Sequence, residues 1–313
     1  KYVTKGDESG VLSFEQKNLS STSNPDGGYL VPKRLSDKIL YQIKTDSPIR
    51  RLAATTVIST DAIELLREKQ GASAGWTTET GDRPTTDTPS LHKIRIPVHE
   101  MYAKPRATQK LLDDSHINIE HWLQEKVSQQ FTALENKAFL FGDGKGKPKG
   151  ILRHDISYDD EDAWGKLQGL HIKNSKDITG DALIKLIYKL KAYYLQGASW
   201  VMSRNMLSIL RQLKDTSGQY LWNPGLNGRQ ESTLLGYPVI ICDDMATTDA
   251  EDRSGAFVLF GNFKEGYQIV DHSSTRVLRD PYSAKPYVEF YATRRVGGDI
   301  TNFEAFSVLT CDQ

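Results

Sequence analysis

The chain has 313 residues, enough for two or three domains and a sizeable hydrophobic core. Lys plus Arg and Asp plus Glu number 40 each, so the formal charge is zero, which argues against a wholly basic nucleic-acid coat. There is no run of 18 apolar residues to span a bilayer, and the two cysteines, Cys242 and Cys311, are too few for a disulfide framework and are expected to be buried free thiols.

Residues 1–28 are polar and rich in Ser, Gly, Asn and Lys. Such a segment buries too little apolar surface to offset its own ordering entropy, so it is expected to be loose or ordered against a partner. Gly27-Gly28-Tyr29-Leu30-Val31-Pro32 starts structure, and Leu35, Ile39, Leu40 and Ile43 have helical spacing that ends by Pro48. Val57, Ile58, Ile63, Leu65 and Leu66 then predict one strand, and Ile94, Ile96 and Val98 predict another by alternation. The stretch between them, Lys69 to Pro89, holds one large apolar residue, Trp76. A polar hairpin of this kind has no core of its own. It must lie on something else, and a neighbouring copy of the chain is the obvious support.

Asn118 to Phe141 is the clearest helix. Ile119, Trp122 or Leu123, Val127, Phe131, Leu134, Ala138 and Phe141 recur every three or four residues, and Asn118 is placed to cap it. Gly142 to Gly150 ends the helix, and an acidic linker follows with Asp155, Asp159, Asp160, Glu161 and Asp162. Asp181 to Tyr194 predicts another helix, Trp200-Val201-Met202 a buried strand, and Met206 to Leu213 a short helix closed by Asp215-Thr216-Ser217-Gly218. Val239 to Cys242 and Phe257 to Phe260 are compact apolar strands. The remainder is mostly strand: Tyr267 to Val270, Thr275 to Leu278, Tyr287 to Ala292 and Phe306 to Leu309.

Motifs for chemistry are weak. Gly142-Asp-Gly-Lys-Gly146-Lys147-Pro148 superficially suggests a phosphate loop, but it is one residue short, puts Pro148 where a hydroxyl is needed, and follows a helix instead of a strand. A glycine-mediated helix exit is expected there. None of the seven histidines forms a zinc motif, the acids at 159–162 lack a calcium loop's alternation, and no Gly-x-Ser-x-Gly elbow occurs. No catalytic, cofactor or metal residue is assigned. Arg50-Arg51, Lys145/Lys147/Lys149 and Arg294-Arg295 are short basic clusters, expected to be solvated surface or to pair between subunits.

The order of several segments resembles the major capsid proteins of tailed phages with the HK97-like fold. Gly27-Gly28-Tyr29-Leu30-Val31-Pro32 is similar to the start of their mature part. Leu112-Asp113-Asp114-Ser115 with Trp122-Leu123 resembles the entrance to their long spine helix, and Phe141-Gly142-Asp143-Gly144 with Pro148 and Gly150-Ile151-Leu152 its exit. Trp200-Val201-Met202, Leu213-Lys214-Asp215, Gly218-Gln219-Tyr220-Leu221 and Leu235-Gly236-Tyr237-Pro238-Val239 are similar to their axial domain. Gly261-Asn262-Phe263, Asp280-Pro281-Tyr282 and Arg295-Val296-Gly297-Gly298 complete the pattern.

The resemblance implies an α+β fold in four parts. These are an N-terminal arm with the helix after it at 1–56, an extended hairpin loop at 57–100, a peripheral domain at 101–180 and 268–297, and an axial domain at 181–267 and 298–313. It further implies a structural protein, not an enzyme, whose copies form pentamers and hexamers of an icosahedral shell around double-stranded DNA, in a phage or a gene transfer agent. A portal protein at one vertex, a decoration protein, and assembly in the bacterial host cytoplasm belong to the same expectation, with no membrane partner. Starting at Lys1, the chain looks like a mature product after removal of a scaffolding segment. Trp76, Arg83 and Tyr29 are the suspected inter-subunit contacts. The relatives' lysine–asparagine crosslink is not expected, because Pro281 to Pro286 contains no asparagine. The competing expectations are an encapsulin-like compartment enclosing cargo protein, and a small-molecule enzyme. DNA inside purified particles separates the shells; a monodisperse monomer with a substrate favours the enzyme.

Overall fold

The computed structural model describes residues 47–70, 76, 85, 90–159, 165–173, 178–214, 217–220, 222, 233–246, 256–273 and 276–311. The arm, the helix expected over Leu35 to Ile43, Tyr29, Arg83, Asp160 to Asp162 and part of the 215–218 turn lie outside them. The chain divides into two compact units, one from residues 102–128 and 276–293 with the first 42 residues, the other from 43–101, 129–275 and 294–313.

In chain order the described elements begin with α1 (Pro48–Leu52), where Pro48 takes the first turn and the Ser47 hydroxyl accepts from the Arg50 amide at 3.4 Å. Strands β1 (Ala54–Ile58), β2 (Ala62–Gln70), β3 (Ser90–Pro97), β4 (His99–Ala103) and β5 (Arg106–Thr108) follow, then α2 (Gln109–Asp114). Helix α3 (Ile119–Phe141) is the 23-residue element expected from the periodicity. Its cap is also as expected: the Asn118 side-chain oxygen accepts from the His121 amide at 3.0 Å. After it come β6 (Ile156–Ser157), β7 (Leu167–Ile172), α4 (Gly180–Lys189), α5 (Ala192–Leu195), β8 (Ser199–Met202), α6 (Arg204–Arg211), β9 (Thr233–Leu234), β10 (Tyr237–Ile241) and β11 (Ala256–Gly261). The chain finishes with α7 (Phe263–Gly266), β12 (Tyr267–His272), β13 (Arg276–Asp280), β14 (Tyr287–Ile300) and β15 (Phe306–Cys311).

The larger unit is organised on a seven-stranded sheet in the order β6-β7-β15-β11-β8-β10-β9. Its central strands β8, β11 and β15 are buried on both faces, which is why they read as continuous apolar runs. Alternate residues feed two cores. Val201, Leu259 and Val308 pack with Ile49, Phe139 and Tyr267, whereas Trp200, Met202, Phe260 and Leu309 pack with Leu186, Met206 and Leu210. The smaller unit has its own core of Ala107, Leu111, Ile119, Leu123, Val288 and Phe290. Within it, β14 pairs antiparallel with β13 and β5.

Several sequence expectations change. The strand expected across Val57 to Leu66 is two strands, because β1 leaves to pair in parallel with β12 and the chain turns before β2. The helix expected over Asp181 to Tyr194 breaks at Leu190, whose backbone is extended (ψ 134°). Strands β4 to β7 and β9 are additions to the elements read from the sequence. The face of α3 also drifts: Glu135 and Asn136 are buried where the apolar stripe called for Leu134, which is exposed. Leu134 lies one step off the inward face, and the two polar residues are drawn inward by partners described below.

Candidate functional site

Three constructions in the larger unit bear on function. The first is the hairpin. Among the described residues, strands β2 and β3 pair only with each other, in antiparallel register from Ala62↔Pro97 to Gln70↔Ser90. The base is fastened: the Val98 amide donates to the Asp61 carbonyl at 3.0 Å, and Ile96 is fully buried. Gly297 explains how close the base sits, since a Cβ there would lie 2.3 Å from the Pro97 carbonyl oxygen. Away from the base, packing runs out. Leu66 is 69% exposed, Leu91 66%, and Trp76 fully exposed. Leu66 faces Lys93 and Leu91 faces Glu68 in the register, so the two leucines are diagonal neighbours on one face. The Glu64–Lys93 ion pair at 2.6 Å flanks them.

The second construction explains the inward drift of α3. Arg50 on α1 donates to Glu135 on α3 through Nε at 3.1 Å and Nη2 at 2.7 Å, and to Asp271 on β12 at 2.6 and 3.1 Å. Arg294 on β14 approaches the same two carboxylates at 3.3 and 3.4 Å. Two guanidinium groups thus alternate with two carboxylates, and the node is locally neutral. Burial tends to lower the Arg50 pKa, but the Asp271 hydrogen bond and the fields of Glu135 and Asp271 outweigh it and raise the value. Beside the node, the Ser47 hydroxyl donates to Asn136 Oδ1 at 3.0 Å, while the Asn136 amide donates to Cys242 Sγ at 3.2 Å and to the Asp244 carboxylate. Arg50 and Arg294, expected as solvated surface or inter-subunit pairs, are therefore intrachain ties. The partners are 85 and 221 residues away from Arg50, so no local signal could have revealed them.

The third is the helix exit. Gly142 admits no side chain, because a Cβ would lie 2.0 Å from the Pro148 carbonyl oxygen. The Gly142 amide closes the helix on the Ala138 carbonyl at 2.8 Å, and the loop returns so that the Gly150 amide donates to the Gly142 carbonyl at 2.9 Å. The loop is pinned below: the Lys149 amide donates to the Gly298 carbonyl at 2.9 Å, and the buried Tyr267 hydroxyl donates to the Lys149 carbonyl at 2.8 Å. Burial holds the Tyr267 pKa well above its usual value. Asp143 is held below the usual carboxylate range by the Lys145 backbone amide. This is a structural turn and no phosphate cradle. Among the described residues no group of His, Cys, Asp and Glu is arranged to hold a metal ion.

An overlong helix, a glycine-locked exit and a hairpin with unfinished packing are the features the sequence resemblance called for, and direct comparison agrees. Residues 27–311 match the phage capsid family. The chain belongs to the phage capsid family. Its fold is α+β and HK97-like. One similar solved structure is the capsid of a native GTA particle computed with C5 symmetry, 36% identical, covering 94% of this chain and 99% of that one with a TM-score of 0.82. A second is from Microbacterium phage Oxtober96, 17% identical, covering 94% and 100%, with a TM-score of 0.65, a likeness of fold. The major capsid protein of Escherichia phage T5 is 22% identical over 83% of this chain, and the chain spans 57% of that protein's length. For the major capsid protein of Klebsiella oxytoca phage phiKO2 the identity is 20% and the spans are 78% and 56%. No helix of the described residues is long and apolar enough to cross a membrane.

Of the suspected contact residues, only Trp76 falls among the described residues, and its side chain is open to solvent. Leu66 and Leu91, which sequence reasoning passed over as contacts, are exposed on the same hairpin. Their signal was present: two leucines at diagonal positions on one face of a strand pair otherwise alternating with charge.

Proposed function

We propose that this chain is a structural major capsid protein. It assembles with copies of itself into pentamers and hexamers of an icosahedral shell that encloses double-stranded DNA. The observation carrying this is the 36% identity over nearly the whole length to the capsid of a GTA particle. The hairpin supports it physically. A two-stranded ribbon is marginal alone, and exposed apolar residues on a ribbon that is fastened, among the described residues, only at its base gain burial from another chain.

In this proposal residues 1–56 are the arm with its following helix, 57–100 the extended loop, 101–180 with 268–297 the peripheral domain, and 181–267 with 298–313 the axial domain. Trp76, Arg83 and Tyr29 contact neighbouring copies. Each added subunit closes several contacts at once, so weak individual contacts sum to a stable shell. DNA is enclosed without sequence recognition, consistent with a neutral chain. A portal protein occupies one vertex, a decoration protein binds outside, and assembly takes place in the host cytoplasm. Electron microscopy of purified protein tests the proposal. Closed shells tens of nanometres across, with nuclease-protected DNA when recovered from the native source, are expected. A monomer at all concentrations and salts overturns it.

A further inference from the structure

Residues 294–298 of β14 meet both the hairpin and the exit of α3. Gly297 faces the hairpin base, where a Cβ would lie 2.3 Å from the Pro97 carbonyl oxygen and 3.4 Å from the Val98 Cα. Gly298 faces the exit: its carbonyl accepts from the Lys149 amide at 2.9 Å, and a Cβ on it would lie 2.5 Å from the Tyr267 hydroxyl. Arg295 reaches Asp61, just before β2, at 3.3 Å, and Glu100 on β4 at 3.9 Å. Arg294 reaches Glu135 of α3 at 3.3 Å. Glycine inside a strand weakens it, and here the close approach of other groups on either side is what requires two in succession.

The two sides of the Gly297 contact differ in how far they can yield. Residues 296–298 pair with β12 in the register Asp271↔Val296, Val270↔Gly297 and Ile269↔Gly298, and Ile269, Val270 and Val296 are buried. That strand has no room to retreat. The hairpin is held at its base by Ile96 and the Val98–Asp61 bond, and its outer leucines are exposed. Crowding at residue 297 is therefore relieved by tilting the hairpin. Lifting the Pro97 carbonyl from 2.3 Å to an ordinary contact near ~3.4 Å, about a pivot one strand spacing (~4.8 Å) away, is a tilt of about 13°. Leu91 lies ~20 Å from Pro97 at ~3.3 Å per residue, so it moves by about 4.5 Å. That exceeds the ~4 Å separation of packed side-chain carbons, enough to miss a surface shaped to receive it.

We propose that Gly297, flanked by Arg295, positions the hairpin for assembly: by seating Pro97 against β14 it fixes the direction in which the hairpin is offered to a second copy of this chain. The geometry rests on the subunit's own contacts, and its consequence for assembly rests on the shell proposal. Gly297 sets the angle because its contact is backbone on backbone and cannot be relieved by a rotamer change. The Arg295 pairs guide the base from outside. Arg295 is 43% exposed and its partners 89% and 49%, so these pairs contribute little energy and limit sway.

The experiment uses the full chain in a Cys311→Ser background, where the remaining Cys242 is buried. Spin labels are placed at Glu68→Cys on the hairpin, paired in turn with Lys264→Cys and Arg204→Cys, all exposed positions of the larger unit. Pulsed electron paramagnetic resonance reads the two distances in the dissociated, folded subunit. Gly297→Ala is expected to move at least one of them by about 3 Å. It is also expected to raise the protein concentration needed for assembly about tenfold, read by light scattering. A merely structural glycine would lower the melting temperature and leave both distances in place. Arg295→Gln keeps the packed backbone and is expected to fold, to broaden both distance distributions, and to be restored by Arg295→Lys. Unchanged distances in folded Gly297→Ala overturn the positioning role, whatever becomes of the shell. If that variant does not fold, unchanged distributions in Arg295→Gln overturn it instead. Shifted distances with wild-type assembly leave the geometry standing and overturn its consequence. A wild type that never assembles overturns the shell proposal, and the distances still decide the geometry.

Discussion

The seven-stranded sheet and the β2–β3 hairpin belong to the same unit and are built on opposite principles. In the sheet, both faces are covered by residues of the same chain, and all four residues of β8 are buried. In the hairpin, the base is covered and the rest is not. Apolar residues in the sheet stabilise the subunit. Those in the outer hairpin are exposed, so in the proposed function they add little to subunit stability and act when a second chain arrives. The proposed function therefore predicts that subunit stability and subunit association are separable by position.

Four perturbations break or sharpen that contrast, beginning with the largest. Trp200 is fully buried, its ring lies 4.3 Å from that of Phe260, and its Nε1 donates to the Leu234 carbonyl at 2.9 Å. Trp200→Ala is expected to cost about 4 kcal/mol in urea unfolding of the dissociated subunit. A loss below ~1 kcal/mol would show that the sheet does not hold the unit together.

Arg50 comes next. Arg50→Met leaves Glu135 and Asp271 with Arg294 as their remaining guanidinium, and Glu135 keeps only 1% of its side-chain surface exposed. The expected loss is about 3 kcal/mol. Adding Glu135→Leu removes the stranded charge and is expected to recover at least half of it. If the double variant is no better than the single one, Arg50 matters for packing over Phe139, where its guanidinium sits 5.7 Å from the ring centroid, and not for charge pairing.

Cys242 gives a smaller, pH-dependent effect. Its burial pushes the thiol pKa from 9.0 to about 11. The folded state therefore favours the protonated thiol. Its contribution is fully present below pH 9 and is lost as pH rises through 11, by about 2 kcal/mol at that pH. Tyr267, also raised by burial, acts in the same direction at still higher pH. Comparing the wild type with Cys242→Ala between pH 8 and 11 isolates the thiol part. A difference that does not vary with pH would mean the thiol is accessible.

The smallest effect on folding is expected in the hairpin. Leu66→Ser with Leu91→Ser is predicted to change subunit stability by less than ~0.5 kcal/mol. The same change should raise the concentration needed for assembly by about tenfold, read by light scattering. A large loss of subunit stability would place these leucines in a core of their own chain and erase the contrast.

The sequence by itself determined the elements whose information is local. Helix α3 follows from periodicity and from Asn118, its exit from Gly142, and the doubly buried strands from short apolar runs. It also marked the hairpin as lacking support, since a lone apolar residue in a polar stretch is visible without coordinates. Tertiary structure alone decided which polar residues go inside. Glu135, Asn136, Asp271 and Arg50 look like ordinary surface in the sequence, because charge pairing across such separations leaves no periodic trace. It alone decided that β1 departs from β2 to join β12, because strand pairing depends on which backbone edge is free in space. The seat of Pro97 on Gly297 is likewise a property of backbone packing, which a residue name does not disclose.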